Sequence, residues 1–301
     1  AFLLALAALF LLPLVFIAFT ALKSGADLMN SPFYALPEKF QWGNFAKAWD
    51  QGKMGMYMKN TAFISVIKVP LGILIEAFAA FALTRLNFKW SNGMFAFFLV
   101  GMMIPMQATL VPLNIFLNKT HLVSTYPGII LIYIGFGIPF GILILRGFFR
   151  TIPKEIDEAA LIDGCGDIGK FFRVVLPLSM PAIATLVILD FMATWNEFLL
   201  AQIFITKDSM RTITTGLLSF RGEHATDYTL MNAGVLLSIV THLLINFLVP
   251  YAAFIALLHH MSACAVSFLT ASVIWNFFLI TDSLVLLTWN SYNSAKFLYE
   301  F

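Results

Sequence analysis

An all-α membrane protein is the fold class this sequence predicts: a polytopic bundle of about six transmembrane helices, with a candidate seventh in the tail. Three observations carry that expectation. Of 301 residues 60% are apolar, 11% are charged and 32 are Phe, whereas a soluble domain carries about a quarter charged residues. Apolar runs fall at 1–22, 61–83, 93–117, 128–149, 181–205 and 233–258, with a further one at 263–289; a helix of roughly 20 such residues crosses a bilayer. No internal repeat and no Ser/Gly linker divides the chain. A single membrane domain over 1–258 is therefore expected, followed by an atypical hydrophobic tail over 259–301.

Composition also excludes several functions. A net charge of +2 without any basic run argues against nucleic acid. Cys165 and Cys264 are too few and too far apart for a disulfide framework or metal-ligand spacing. His259 and His260 are neighbours that point in different directions on a helix, so no metal site is expected there. No nucleophile–base–acid set appears, and no phosphate-cradling Gly-rich loop. The chain is expected to be no enzyme, to have no catalytic residues and to draw its energy from another chain.

The elements follow in order. The chain opens inside an apolar run at Ala1-Phe2-Leu3, so residues upstream of Ala1 or a trimmed start are expected; a signal peptide over 1–22 is the alternative. Residues 23–60 carry Pro32, Pro37, Trp42 and Trp49 and read as an interfacial loop, since Trp favours the headgroup region. The second run holds Lys68 and Glu76, and a tight turn with Arg85 and Lys89 follows over 84–92. Met102, Met103 and Met106 on the third run read as packing residues, and 118–127 is a short turn. Gly135, Gly137, Pro139 and Gly141 weaken the fourth helix; they mark either a hinge beside a solute path or close helix packing through small residues. Asp190 and Glu197 lie seven apart on the fifth, hence on one face.

Each charge at the bilayer centre costs about 2.5–3.5 kcal/mol, so none should face lipid. Asp190, Trp195, Asn196 and Glu197 could line a translocation path, with polar groups bonding hydroxyls and the indole stacking on a sugar. Alternatively the acids form helix-to-helix pairs, Lys68 being one partner, that order the bundle. Charge does not settle orientation: if the 150–180 loop is cytoplasmic, Lys23, Lys39, Lys47, Lys53 and Lys59 of the first loop fall outside and about match the positive charge of the inside loops.

Residues 150–180 form the only long non-spanning stretch rich in both signs of charge. Pro153 and the acids Glu155, Asp157 and Glu158 open a helix as the dipole favours. Ala159, Ala160 and Leu161 give it a small-residue face, and Gly164 permits a turn that a Cβ would hinder. Gly166 and Gly169 precede a second short helix, Lys170 to Val175; Leu176-Pro177 and Pro181 then close the loop. The plainer reading is an amphipathic helix resting on headgroups.

The spacing of Glu158-Ala159-Ala160, Gly164, Val174 and Leu176-Pro177 resembles the EAA loop of the membrane subunits of bacterial ABC importers. Thr125-Tyr126-Pro127-Gly128, Pro139-Phe140, Leu145-Arg146-Gly147-Phe148-Phe149, Thr194-Trp195-Asn196-Glu197-Phe198, Ile104-Pro105 and Val111-Pro112-Leu113 are similar to the carbohydrate subfamily. Together they look like the second, shorter permease of a maltose-type importer, over roughly 1–240. The resemblance implies a type I ABC importer permease fold in the bacterial cytoplasmic membrane, working by alternating access. It assigns ATPase coupling to Glu158, Ala159, Ala160, Asp163, Gly164, Leu176 and Pro177. It implies as partners a second homologous permease, two ATPase subunits and an extracytoplasmic sugar-binding protein. This chain would carry no cofactor, ATP and Mg belonging to the partner ATPase. The likeness fades after Val240, where Thr241-His242 stand and no Lys or Arg occurs from residue 222 to 295. A native seventh span, a fused segment and a change of reading frame remain as readings of the tail. The rival function is a gradient-driven secondary transporter relaying ions through Lys68, Glu76, Asp190 and Glu197.

Overall fold

The structure, a computed structural model, describes residues 2–32, 34–86, 88–220 and 226–241. The candidate seventh run, Cys264 and the second half of the 233–258 run lie outside the described residues. The described residues divide into two compact units whose boundary falls within one long helix: those up to Asn60 and those of 212–241 belong to one, and Thr61–Arg211 belong to the other.

The first unit opens with α1 (Phe2–Ala21), a helix of 20 residues with no charge. Asn44 ends it: its Nδ2 donates to the carbonyls of Ala21 and Lys23 at 2.8 and 2.9 Å, satisfying acceptors that a helix end leaves open. Residues 23–60 are more ordered than an interfacial loop. They form α2 (Gly25–Asn30) and α3 (Gly43–Gln51), while Trp42 and Trp49 stay exposed. Lys23, one of the loop's positive charges, is buried, with Nζ donating to Ser31 Oγ and the Pro32 carbonyl. The rest of the unit packs on small residues. A Cβ at Gly216, in α13 (Ile213–Gly216), would collide with the Tyr57 ring, and one at Gly52 would collide with Phe220. Asp227 Oδ1 accepts from Thr229 N and Leu230 N at 3.1 and 3.0 Å and so caps α14 (Tyr228–Thr241).

Helix α4 (Met54–Arg85) runs 32 residues, about 48 Å, further than a hydrocarbon core of about 30 Å requires. With α7 (Tyr126–Phe149) it is one of two described helices long and apolar enough to cross a membrane alone. Thr125 starts α7 by accepting from Gly128 N at 3.2 Å. No Cβ fits at Gly128, where the Leu122 carbonyl closes in.

The third and fifth apolar runs are not straight spans. The third consists of α5 (Ser91–Met102) and α6 (Met106–Lys119), which meet at 99°. Pro105 stands at the elbow with an extended backbone (ψ 131°); it removes a donor and disfavours helix at the residue before it. Met106 packs on the core below it, whereas Met102 and Met103 lie on the surface of this chain. The fifth run comprises α11 (Met180–Asn196) and α12 (Leu199–Phe204), separated by Glu197 and Phe198. The second bent pair joins residues 167–178 to α11 at 77°; if each bent pair counts as one span, the described residues supply up to four spans, and the shorter apolar stretches Leu11–Ala21 and α14 lie beyond these.

Candidate functional site

The loop after α7 folds as a helix, a turn and a second helix. Pro153 precedes α8 (Lys154–Ile162), whose first turn carries Glu155 and Asp157. The helix ends on Gly164, whose φ of +80° is left-handed. Cys165 N donates to the Ala160 carbonyl at 2.9 Å and Gly164 N to the Leu161 carbonyl at 3.0 Å. These are the two bonds of a Schellman motif, with glycine where it is favoured. Nothing lies within 4 Å of a Cβ built at Gly164, so the backbone conformation and not space demands glycine there. Glu158, Ala159, Asp163 and Gly164 are exposed and Ala160 is buried. Around them Leu161, Ile162 and Ile168 are 55, 87 and 72% exposed, an apolar patch bordered by carboxylates.

The second helix differs from expectation. It begins earlier, at Asp167, and does not stop at Val175. It runs as α9 (Asp167–Lys170), a π turn over Phe171–Val175 and α10 (Leu176–Leu178). Pro177 has no N–H to return to Arg173, and Leu176 N bonds instead to the Phe171 carbonyl, five residues back. Half-buried Leu176 and exposed Pro177 therefore sit inside the helix. The break falls at Ser179, before a 77° bend into α11.

Both loop helices are held by α4. Arg85 is nearly buried, and its Nη1 lies 2.7 Å from Asp157 Oδ2 on α8. Its Nη2 donates to the carbonyls of Phe149 and Ile152, each at 2.8 Å. Phe171 is fully buried against Phe78 and Phe81, with ring centroids at 4.2 and 5.3 Å. Arg146 lies over the Phe95 ring at 3.7 Å and donates to Asn92 Oδ1 at 2.8 Å, joining α7 to α5. Sequence reasoning missed Arg85 and Asp157 as partners, because two of the three bonds that Arg85 makes go to main-chain carbonyls. Its one visible signal was an Arg at the end of an apolar run.

Two of the charges within the apolar runs pair across helices. Lys68 Nζ bonds Asp190 Oδ1, both buried, and Glu76 lies beside them. A Cβ at Gly137 would stand 3.2 Å from Glu76 Oε1, 3.3 Å from Lys68 Nζ and 3.6 Å from Asp190 Oδ1. At Gly141 a Cβ would collide with the Glu76 carboxylate. The α7 glycines thus give room to three charged groups, and α7 stays continuous over Pro139. Glu197 serves a joint: its carboxylate accepts from Leu200 N at 2.7 Å, Ala201 N at 3.0 Å and Tyr133 OH at 2.6 Å, capping α12. Asn196 is half-buried, whereas Trp195 is 2% exposed and stacked on Phe191 with centroids 5.5 Å apart. Among the described residues no group of three His, Cys, Asp or Glu could hold a metal ion.

The chain thus combines apolar helices with an anchored loop that exposes a mixed apolar and acidic face. The profile of the family described as "Binding-protein-dependent transport system inner membrane component" matches residues 68–256. The chain is 37% identical over 226 residues to "Probable ABC transporter permease protein YurM" of Bacillus subtilis (strain 168), covering 75% of each. It is 32% identical over 237 residues to "Diacetylchitobiose uptake system permease protein NgcG" of Streptomyces coelicolor, covering 78% of each. In fold it is similar to a chain of a bacterial ABC transporter involved in the import of the acidic polysaccharide alginate. The TM-score there is 0.71 at 20% identity, over 82% of this chain and 91% of that one.

The chain belongs to the binding-protein-dependent transport family and is a multi-pass component of the inner membrane. It is the permease of an ABC importer and not its ATPase, in a family of subunits without a cofactor. That membership overturns the gradient-driven alternative, in which Lys68, Glu76, Asp190 and Glu197 relay ions. The family match runs past Val240, where the motif likeness fades.

Proposed function

We propose that this chain carries an oligosaccharide or related polyol across the inner membrane, as the second, shorter permease of a maltose-type importer. It pairs with a homologous permease to enclose the path and receives its solute from an extracytoplasmic sugar-binding protein. Two ATPase subunits supply the motion through the 153–178 loop, with Glu158, Ala159, Ala160, Asp163, Gly164, Leu176 and Pro177 as the coupling residues. The observation that carries this reading is the exposed face of α8, held in place from behind and turned by a left-handed glycine. A short rigid helix of this kind keeps its contacts while two bodies rotate. The sugar assignment is supported by relatives whose names state carbohydrate uptake and by the motifs of the fourth and fifth apolar runs. For the path, half-buried Asn196 and the Glu197 joint are the better candidates; Trp195 and Asp190 turn into the bundle and order it.

The test is ATP-driven uptake by the assembled importer, assayed with labelled diacetylchitobiose, maltotriose and raffinose. Glu158→Lys and Gly164→Val are each expected to abolish uptake while membrane insertion is unchanged. Normal uptake in both variants overturns the coupling reading. Failure of the unaltered complex to take up any of the three sugars removes the support for an oligosaccharide.

A further inference from the structure

We propose that Arg85 is a positioning residue for transport: it fastens the coupling helix α8 to α4 and α7, so that all three move as one body. The inference rests on the coupling reading of the 153–178 loop and adds what transmits its motion.

Three connections converge on one guanidinium. Nη1 holds Asp157 in the first turn of α8 at 2.7 Å. Nη2 bridges the carbonyls of Phe149, the last residue of α7, and Ile152, one residue before Pro153. The Phe149 carbonyl, which also accepts from Ile152 N at 3.3 Å, takes the guanidinium as a second donor, and a cation at that end suits the helix dipole. Arg is suited to this task, because its planar fork serves several acceptors in fixed directions where an ammonium acts as a point charge. The Arg85 side chain is 5% exposed and that of Asp157 15%, so solvent screens the pair little.

The connecting segment, 150–153, is short, and Arg85 spans it from the side. Across that segment the Arg85–Asp157 ion pair ties α8 to α4. Further along α4, Glu76 lies against the bare backbone at Gly137 and Gly141. Helices α4 and α7 are therefore joined at two levels, and the lower joint includes α8. A push on the exposed face of α8 is then delivered to two long helices at once.

The test uses the full importer with its ATPase subunits, in lipid nanodiscs. Spin labels are placed at Lys154 at the start of α8, away from the exposed apolar patch, and at Leu74 on α4, both surface positions, in a background with Cys165→Ser and Cys264→Ser. The label-to-label distance is read without nucleotide and after trapping with ATP and vanadate. With Arg85 present a single narrow distance is expected, unchanged between the two states. Arg85→Gln should lose it to a broad distribution, Arg85→Lys should restore it in part, and the exposed neighbour Arg150→Gln should leave it intact. If Arg85→Gln prevents folding, Asp157→Asn carries the test, since it removes the ion pair and leaves both carbonyl bonds. A narrow, unchanged distance in Arg85→Gln or in Asp157→Asn overturns the inference, as does a distance that already shifts on trapping when Arg85 is present. Gly164→Val uptake, measured alongside, separates the two claims: its loss with Arg85 indifferent leaves coupling standing without the clamp, and its survival removes the coupling reading itself.

Discussion

Lys68 and Asp190 show what a charge costs when it cannot reach water. Removing one partner of a buried pair typically costs about 3–5 kcal/mol, because the other is left uncompensated, while replacing both with apolar groups is often neutral. Lys68→Met or Asp190→Leu alone should therefore lower the melting temperature in detergent, and the double replacement should recover most of the loss. Unfolding followed by intrinsic tryptophan fluorescence reads all three proteins. Glu76 and Gly141 allow a finer test of the same kind. Gly141→Ala places a methyl on the Glu76 carboxylate and should destabilise the chain by about 1–3 kcal/mol, as overpacking does. Adding Glu76→Ala should remove much of that penalty, and additive losses in the double mutant would refute the steric account. The sequence offered an inter-helix pair with Lys68 as one of two readings for Asp190. It could not choose between them, since the partners are 122 positions apart and only the fold brings them together.

Among the elements, α7 was legible because its apolar run is long and Arg146 stands in its last turn, whereas α4 was legible over 61–83 and its first turns, from Met54, lay in what read as a loop. The elbow between α5 and α6 was written in Ile104-Pro105, yet a continuous apolar run concealed it; composition reports solvent preference, while proline acts on the backbone. In the loop after α7, α8 and its glycine end followed from local chemistry alone. The second loop helix did not, because a π turn depends on a missing donor at Pro177 together with the burial of Phe171. Pro177→Ala returns that donor, so the turn should close into α-helical register and rotate Phe171 within its cluster with Phe78 and Phe81. Uptake should then fall several-fold, in the range by which residues within a coupling network act. Unaltered uptake would mean that the π turn is only an accommodation of proline.

At the scale of the whole molecule the chain is one part of an assembly, and its isolation tests that directly. Purified in mild detergent with a tag, it should bring an ATPase and a second permease with it, identified by mass spectrometry, and Gly164→Trp should lose the ATPase alone. Recovery of the chain without either would contradict the subunit composition proposed for it. The α5–α6 elbow bears on how such a chain is made. At 12 and 14 residues, these helices are about 18 and 21 Å long, and neither reaches across about 30 Å of hydrocarbon. Each is too short to commit the translocation machinery by itself. Topology during synthesis is therefore expected to follow the longer helices, α4 before them and α7 after them, and glycosylation mapping of chains truncated before α7 should find the pair uncommitted until α7 is added.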